Sequence, residues 1–409
     1  MEFNKYLLKD IATIIMGQSP KSEYYSDFNG TAFLQGNRTF NNLYPTIDTY
    51  TTKITKTAKK NDILFSVRAP VGEINIAPFE LCIGRGLSAI RSKNKDNKFL
   101  HCLLIYKLQD IHSKSTGTIF NSINKSTLEN LEIKIPIEKF QKFIGTLLRN
   151  IDNKIELNNK IIANLEELSQ TLFKRWFVDF EFPDENGNPY KSSGGEMVGS
   201  ELGEIPKEWQ VVKLEMLIDN VKDRINAKSV SSNFPYVPID LIPKRKLTFY
   251  NYKDGKEAKS SLIKFKRNDI LLGNMRVYFH RVCLAPFEGV TRNTVFTLRP
   301  KDERYTYYLI NLINKDEFIE YASNNSKGST MPYAVWEGVL DKIKVIKPPL
   351  NYLNQFNSKI KSNFELSISL LKQNRKLAIL RDTLLPKLMS GEIEIPDDVE
   401  VNTDELSIY

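Results

Sequence analysis

Glu132-Ile133-Lys134 matches the ExK fragment of many nucleases and is the nearest approach to a cutting site in the sequence. It falls in a strand-like run, however, and a related stretch later in the chain carries Lys344 opposite Glu132, so the triplet reads as a strand edge. A base methyltransferase of the amino-group class would show an Asn- or Asp-Pro-Pro-aromatic tetrad; the nearest string, Lys347-Pro348-Pro349-Leu350, is wrong at both ends. No GxxxxGK[ST] loop is present to cradle a nucleotide. Histidine occurs at His101, His112 and His280, too scattered for a triad or a metal site. The expectation is a chain without its own catalytic or metal centre.

Charge points to a different kind of chemistry. The formal net charge is +9, and it is unevenly divided. Residues 1–136 carry +6 and residues 209–350 carry +9, whereas 181–208 carry −5 and 392–409 carry −7. Two separate basic blocks suit a polyanion, because neutralising phosphates releases counterions and drives binding; an ordinary basic surface is the alternative. Direct reading of base edges needs Arg, Lys, Asn, Gln and hydroxyl side chains on exposed loops. Gln35, Gly36, Asn37 and Arg38 form such a string, which is either a groove-facing loop or a simple turn. Ser66, Arg68 and Arg85 suit backbone contacts or a structural ion pair, and Lys114, Ser115, Thr116 and Thr118 form a small polar loop. The second basic block offers Lys244, Arg245, Lys246, Asn274, Arg276, Tyr278, Arg292, Asn293, Lys327, Ser329 and Thr330. Most contacts from such sets go to phosphates, which position a protein without specifying sequence.

The elements that would position these residues repeat once. Asn61-Asp62-Ile63-Leu64 recurs as Asn268-Asp269-Ile270-Leu271, and Ala77-Pro78-Phe79-Glu80 as Ala285-Pro286-Phe287-Glu288. Residues 115–136 run parallel to 327–348, and the offset drifts from 207 through 208 to 212. Each copy opens with short β-branched runs punctuated by Gly, Pro and Asn, the pattern of a mixed α/β domain. Each closes with a helical stretch. Leu148, Ile151, Ile155, Ile162, Leu165 and Leu172 fall on the 3-4 spacing of a coiled-coil seam, with Asn158 and Ser169 as polar interruptions. Leu168 joins that interface set, and Leu377, Leu380 and Leu384 align with Leu165, Leu168 and Leu172 at the 212 offset. Pro386 is expected to end or kink the second helix early. Lys359, Lys361, Lys372, Arg375 and Lys376 on that helix are either solvated or touch DNA backbone or an acidic partner.

The expected architecture is α/β (α+β), with two mixed domains separated by two long antiparallel helices forming a coiled coil, in an internal pseudo-twofold repeat. The segments are a first domain over 1–137, a helical region over 138–180, and a Gly-, Pro- and acid-rich surface crossover over 181–208. A second domain covers 209–350, a distal helical region 351–391, and an acidic tail 392–409. About 39 residues of helix span roughly 58 Å, against ~34 Å for one turn of duplex, so such a pair can hold two reading heads apart. Three cysteines without a CxxC pair suit the cytoplasm, and the N-terminal stretch lacks the apolar block of a signal peptide.

The chain resembles the specificity (S) subunits of type I restriction–modification enzymes. The resemblance is carried by NDILFSVRAPVGEI (61–74), LFKRWFVDFEFP (172–183), SELGEIPKEWQVVKLEML (200–217) and LRDTLLPKLMSGEI (380–393), and its order of domains covers nearly the whole sequence. It implies two target-recognition domains, each reading one half of an asymmetric, interrupted site on double-stranded DNA. The helical regions would bind two modification (methyltransferase) subunits and set the half-site spacing, with restriction subunits joining that core. S-adenosylmethionine and ATP with Mg²⁺ would be used by the partner subunits, not by this chain. The second domain has NMRVYFHRV where the first has RAPVGEI, so no base contact transfers from one to the other. The alternatives are a stand-alone DNA-modifying or DNA-cleaving enzyme with a disguised site, and a coiled-coil adaptor whose basic heads bind protein or RNA.

Overall fold

The computed structural model describes residues 2–113, 122–259, 261–396 and 398. The chain forms two compact units: the first runs to Leu157 and resumes at Lys376, and the second runs Asn158–Arg375. Each unit therefore holds one head together with part of each long helix, Glu138–Phe177 and Leu350–Ser390. Among the described residues no helix is long and apolar enough to cross a membrane.

The repeat seen in sequence is a repeat of hydrogen bonding. In the first head an antiparallel sheet runs in the order Ala12–Met16, Leu87–Ser92, Ile63–Ser66, Ile74–Ile76. In the second the order Ile218–Asn220, Val295–Pro300, Ile270–Gly273, Val282–Leu284 is equivalent. The recurring Asn-Asp pair explains why these strands start where they do. Asn61 (φ 68°) and Asn268 (φ 70°) adopt the left-handed conformation that Asn tolerates better than most side chains. Each donates its N–H to the carbonyl of the recurring alanine, Ala77 or Ala285, at 2.8 and 2.9 Å. The buried carboxylates of Asp62 and Asp269 accept a turn N–H, from Lys59 and Lys266, both at 2.7 Å. Each also takes a bidentate pair from an arginine on the neighbouring strand, Arg91 or Arg299.

A second sheet in each head shares a core of four strands. Tyr50–Thr51, Thr31–Leu34, Leu81–Ile83 and Thr57–Ala58 in the first correspond to Lys253–Asp254, Pro235–Tyr236, Gly289–Arg292 and Leu262–Phe265 in the second. The fifth strand is added on opposite edges: Tyr25–Ser26 beside Tyr50–Thr51, but Arg224–Ile225 beside Leu262–Phe265. Each head is closed by a two-stranded pair, Phe3–Leu7 with Glu132–Pro136 and Gln210–Lys213 with Lys344–Lys347. Glu132 and Lys134 are exposed on that strand, as is Lys344 at the position corresponding to Glu132.

The helices pair antiparallel within each unit. In the second, partner numbers fall as residue numbers rise: Asn158 meets Asn374, Ser169 meets Asn363, and Phe173 meets Phe356. In the first, Asp152 meets Arg381, and Leu148, Ile151 and Ile155 pack in one core with Leu385, Leu388 and Met389. The seam follows the sequence pattern through Leu148, Ile151, Ile155, Asn158 and Ile162 and again at Ser169, but Glu166 and Phe173 take the places expected for Leu165 and Leu172, each one residue further on. A straight helix drifts ~20° per heptad from a strict 3.5-residue repeat, and two consecutive four-residue steps (158 to 162 to 166) absorb the drift. Leu168 and Leu380 are 56% and 47% exposed and lie off the seam, contrary to expectation; Leu165, Leu172, Leu377 and Leu384 flank it, half-buried. Pro386 neither ends nor visibly breaks the distal helix, which continues to Ser390. Pro386 and Asp382 are both exposed, so the carbonyl left without its helical donor is open to water.

The crossover 181–208 is mostly exposed but is not merely a surface strap. It forms the hairpin Met197–Ser200 with Gly203–Pro206 and sends Phe182 and Ile205 into the core of the second unit. Too few apolar residues for a core of its own still suffice to anchor it in its neighbour's, where Phe182 stacks on Trp209 at 5.0 Å and on Tyr190 at 4.6 Å.

The slipped seam turns Glu166 toward the second head. Its Oε1 accepts the N–H groups of Leu247 and Thr248 and the Thr248 hydroxyl, at 3.0, 2.9 and 2.7 Å. Burial pushes its carboxyl above the ordinary value, against the opposing pull of these donors and of Lys246. Glu166→Ala orphans two buried amides and should lower unfolding stability by ~2–3 kcal/mol, measured by chemical denaturation; Glu166→Gln keeps an acceptor and should cost less. Because the folded value is raised, the stability this carboxyl contributes is present below the ordinary carboxylate range and lost as pH rises through the raised value. The Gln variant should therefore gain on the parent as pH rises from the ordinary carboxylate range through that raised value.

Candidate nucleic-acid interface

In the first head, four loops meet at one end of the two sheets through backbone contacts too close for side chains. Gly84 N–H donates to Leu34 O at 2.8 Å, Gly86 N–H to Gln35 O at 3.1 Å, and Val67 N–H to Gly86 O at 2.9 Å. A Cβ on Gly84 would stand 2.8 Å from the Gln35 Cα, and one on Gly86 would stand 2.8 Å from the Gln35 carbonyl oxygen. This explains the Gly84-Arg85-Gly86 string. Gln35, Arg68 and Arg85 are exposed on these adjoining loops. Tyr25 donates its hydroxyl to Gln35 Oε1 at 3.2 Å, and the Arg85 N–H donates to the Ser19 hydroxyl at 3.1 Å. Arg38 is exposed but paired with Asp48 at 2.8 Å. Half-buried Asn37 closes a turn with its carbonyl on Phe40 N–H.

Ser66 belongs to the framework. It is fully buried, and its hydroxyl donates to Pro70 O at 2.7 Å and accepts Glu73 N–H at 2.8 Å. Lys114, Ser115, Thr116 and Thr118 lie outside the described residues.

The second head assembles its loops on the same plan with different contents. Asn274 N–H donates to Thr294 O, and Ala334 N–H to Asn274 O, just as Val67 and Ile123 bond in the first head. Asn274 is itself buried, and its side-chain amide donates to Asn293 O at 2.8 Å, so it bolts three loops together and is not free to read a base. Around it stand exposed Arg276, Tyr278, Asn293, Lys327, Ser329 and Thr330. Arg276 and His280 adopt left-handed backbone conformations on either side of the turn Val277–Phe279. Lys244 sits over the Phe279 ring at 4.2 Å. Arg245 is exposed but paired with Asp316 at 2.9 Å, Lys246 stands 3.9 Å from Glu166, and Arg292 reaches the Tyr236 hydroxyl. Met331 and Tyr333 also reach this surface. Residue type does not single them out, because nothing in a Ser-Thr-Met-Pro-Tyr string tells an exposed Met from a core one.

Three other reactive side chains, His101, Cys102 and Cys283, are buried. Burial drives the His101 imidazole well below its usual value, aided by the Arg149 and Arg381 charges, and burial pushes the Cys102 thiol up to about 12 and Cys283 well above normal. Among the described residues no group of three His, Cys, Asp or Glu side chains is placed to hold a metal ion. The division between framework and free residues is measurable: Asn274→Ala should lower stability by about 1–3 kcal/mol by orphaning the Asn293 carbonyl. Arg276→Ala should stay within about 0.5 kcal/mol of the parent, both read from urea midpoints.

Comparison with known proteins agrees with the doubled plan. A family model described as the type I restriction modification DNA specificity domain matches residues 1–167 and again 206–381. The type I restriction enzyme MjaIX specificity subunit of Methanocaldococcus jannaschii is 30% identical over 356 residues, covering 83% of this chain and 79% of that protein. A protein of the same organism assigned as the MjaX specificity subunit is 43% identical over 162 residues, a match that spans 39% of this chain and only 38% of the relative. In fold, the chain is similar to the crystal structure of a type I restriction–modification S subunit from M. genitalium, with a TM-score of 0.62, 14% identity, and coverage of 95% of this chain and 96% of that one.

Proposed function

The chain belongs to the type I restriction–modification DNA specificity family, and from that premise we propose that it is the DNA-recognition subunit of a multisubunit enzyme and performs no chemistry itself. The observation that carries this reading is the pair of heads built on one hydrogen-bonded frame but tipped with different loops. The frame holds Ala69-Pro70-Val71-Gly72 in the first head and the Arg276–His280 turn in the second. Each head reads one half of a bipartite site on double-stranded DNA, and because the tips differ, the two half-sites differ. The long helices set the spacing between them.

The same helices dock two modification subunits. Supporting this, the Leu165-x-x-Leu168-x-x-x-Leu172 stripe recurs as Leu377-x-x-Leu380-x-x-x-Leu384, with Leu168 and Leu380 exposed in each copy. A duplicated apolar stripe suits two copies of one partner. Restriction subunits join that core when the enzyme cleaves. S-adenosylmethionine, ATP and Mg²⁺ act on those partners in the cytoplasm.

Co-expression with a modification subunit should yield a complex that methylates one interrupted, asymmetric sequence, while the purified chain alone neither methylates nor cuts. Leu168→Glu and Leu380→Glu should each reduce the bound modification subunits from two to one, and the double variant should bind none, as read by native mass spectrometry. Methyl transfer or cleavage by the chain alone would overturn the reading.

A further inference from the structure

The second head carries an apolar feature that phosphate binding does not explain. Met331, Tyr278 and Tyr333 are 52%, 51% and 47% exposed, and all three lie within two residues of one hydrogen bond, Arg276 N–H to Pro332 O at 2.7 Å. Met331 is near the apex of a tight loop. Lys327 and Tyr333 exchange both backbone hydrogen bonds at 2.9 Å, and Gly328 (φ +91°) turns the chain where a Cβ would stand 3.2 Å from Met331 O. The loop is thus closed at its base by two bonds and tied sideways to the Arg276 turn by a third. Its outward side chains are Lys327, Ser329, Thr330 and Met331, a cation, two hydroxyls and one apolar group.

We infer that the Lys327–Tyr333 loop reads the second half-site in the major groove, and that Met331 contacts the 5-methyl group of a thymine. This rests on the reading of the chain as a DNA-recognition subunit. Phosphates and sugars reward cations and donors, whereas the thymine methyl is the apolar group that an unmodified base edge presents in the major groove. A methionine side chain is long and adaptable enough to cover it. The closed loop has already lost most of its backbone freedom, so binding orders little beyond the side chain itself. Ser329 and Thr330 supply hydroxyls for neighbouring edge groups, and Lys327 anchors the loop to the backbone.

The test uses the chain assembled with its modification subunits and duplexes carrying its mapped site. Each thymine of the second half-site is replaced singly by deoxyuridine, which removes only the methyl group. At one position the parent complex should bind about 4-fold more weakly, the equivalent of ~0.8 kcal/mol for one buried methyl-sized group at 1.4 kcal/mol per tenfold. Met331→Ala, a surface change that leaves the loop's backbone bonds intact, should make the complex indifferent to that substitution, while Met331→Leu should keep the sensitivity. A second half-site without thymine, indifference of the parent to every substitution, or sensitivity that persists in Met331→Ala would each overturn the inference while leaving the recognition role intact. A complex that selects no duplex at all would overturn the recognition role and this inference with it.

Discussion

Each head hangs on one buried carboxylate. Asp62 and Asp269 are almost wholly inaccessible, and each is satisfied by a turn amide and by both arms of an arginine from the adjacent strand. Removing the arginine would leave an uncompensated charge in the core, a defect that ordinarily costs about 3–5 kcal/mol. This pair joins the strand that follows the aspartate, Ile63–Ser66 or Ile270–Gly273, to its neighbour, Leu87–Ser92 or Val295–Pro300. From the far ends of the same two strands come the loops at Ser66–Gly72 and Gly84–Gly86 in one head, and at Asn274–His280 and Arg292–Thr294 in the other. The frame can therefore be held constant while the loops it carries diverge, which is what a reader of many different sequences requires.

The helices apply the same division. Their seam is apolar at most positions but contains a buried polar knot, in which Asn158 donates to Gln373 and Asn374 at 2.7 and 2.8 Å and Asn374 donates to Asn159 at 2.9 Å. Such a knot tolerates few alternative registers, because a slip would bury amides without partners. Glu166 then ties the central helix to the Leu247–Thr248 backbone, and Arg375 on the distal helix lies over Tyr252 at 3.6 Å. The second head is thus fixed to its stretch of helix by polar and cation–π contacts as well as by the aromatic core around Trp176, Phe177 and Trp209.

Much of this was legible in the sequence, for local reasons. The Asn-Asp-Ile-Leu repeat marks a positive-φ turn and a capping carboxylate, both set by neighbouring residues, so matching strings mean matching turns. The helix seam was legible as far as Ile162. Beyond it, steps of 3 and 4 lead to Leu165 and Leu172 where the seam holds Glu166 and Phe173, because accumulated helical drift is not visible in residue types; Leu168 and Leu380 match each other across the two copies, and a match between copies does not tell an interior leucine from an exposed one. The contact surface was the least legible part. Ser66 and Asn274 have the right chemistry for base edges, yet their hydrogen bonds go to Pro70, Glu73 and Asn293. Met331 and Tyr333 have the wrong chemistry by type and reach the surface only because the loop closes beneath them. Where a polar group's partners lie is a tertiary fact.

A shared frame with exchangeable tips makes the heads independent modules. The most direct measurement is to replace residues 1–136 by the first head of another family member, co-express the hybrid with the modification subunits, and map methylated sites across the host genome. One half-site should change to that of the donor while the other half-site and the spacing between them are retained. A change in both half-sites, or in neither, would contradict it.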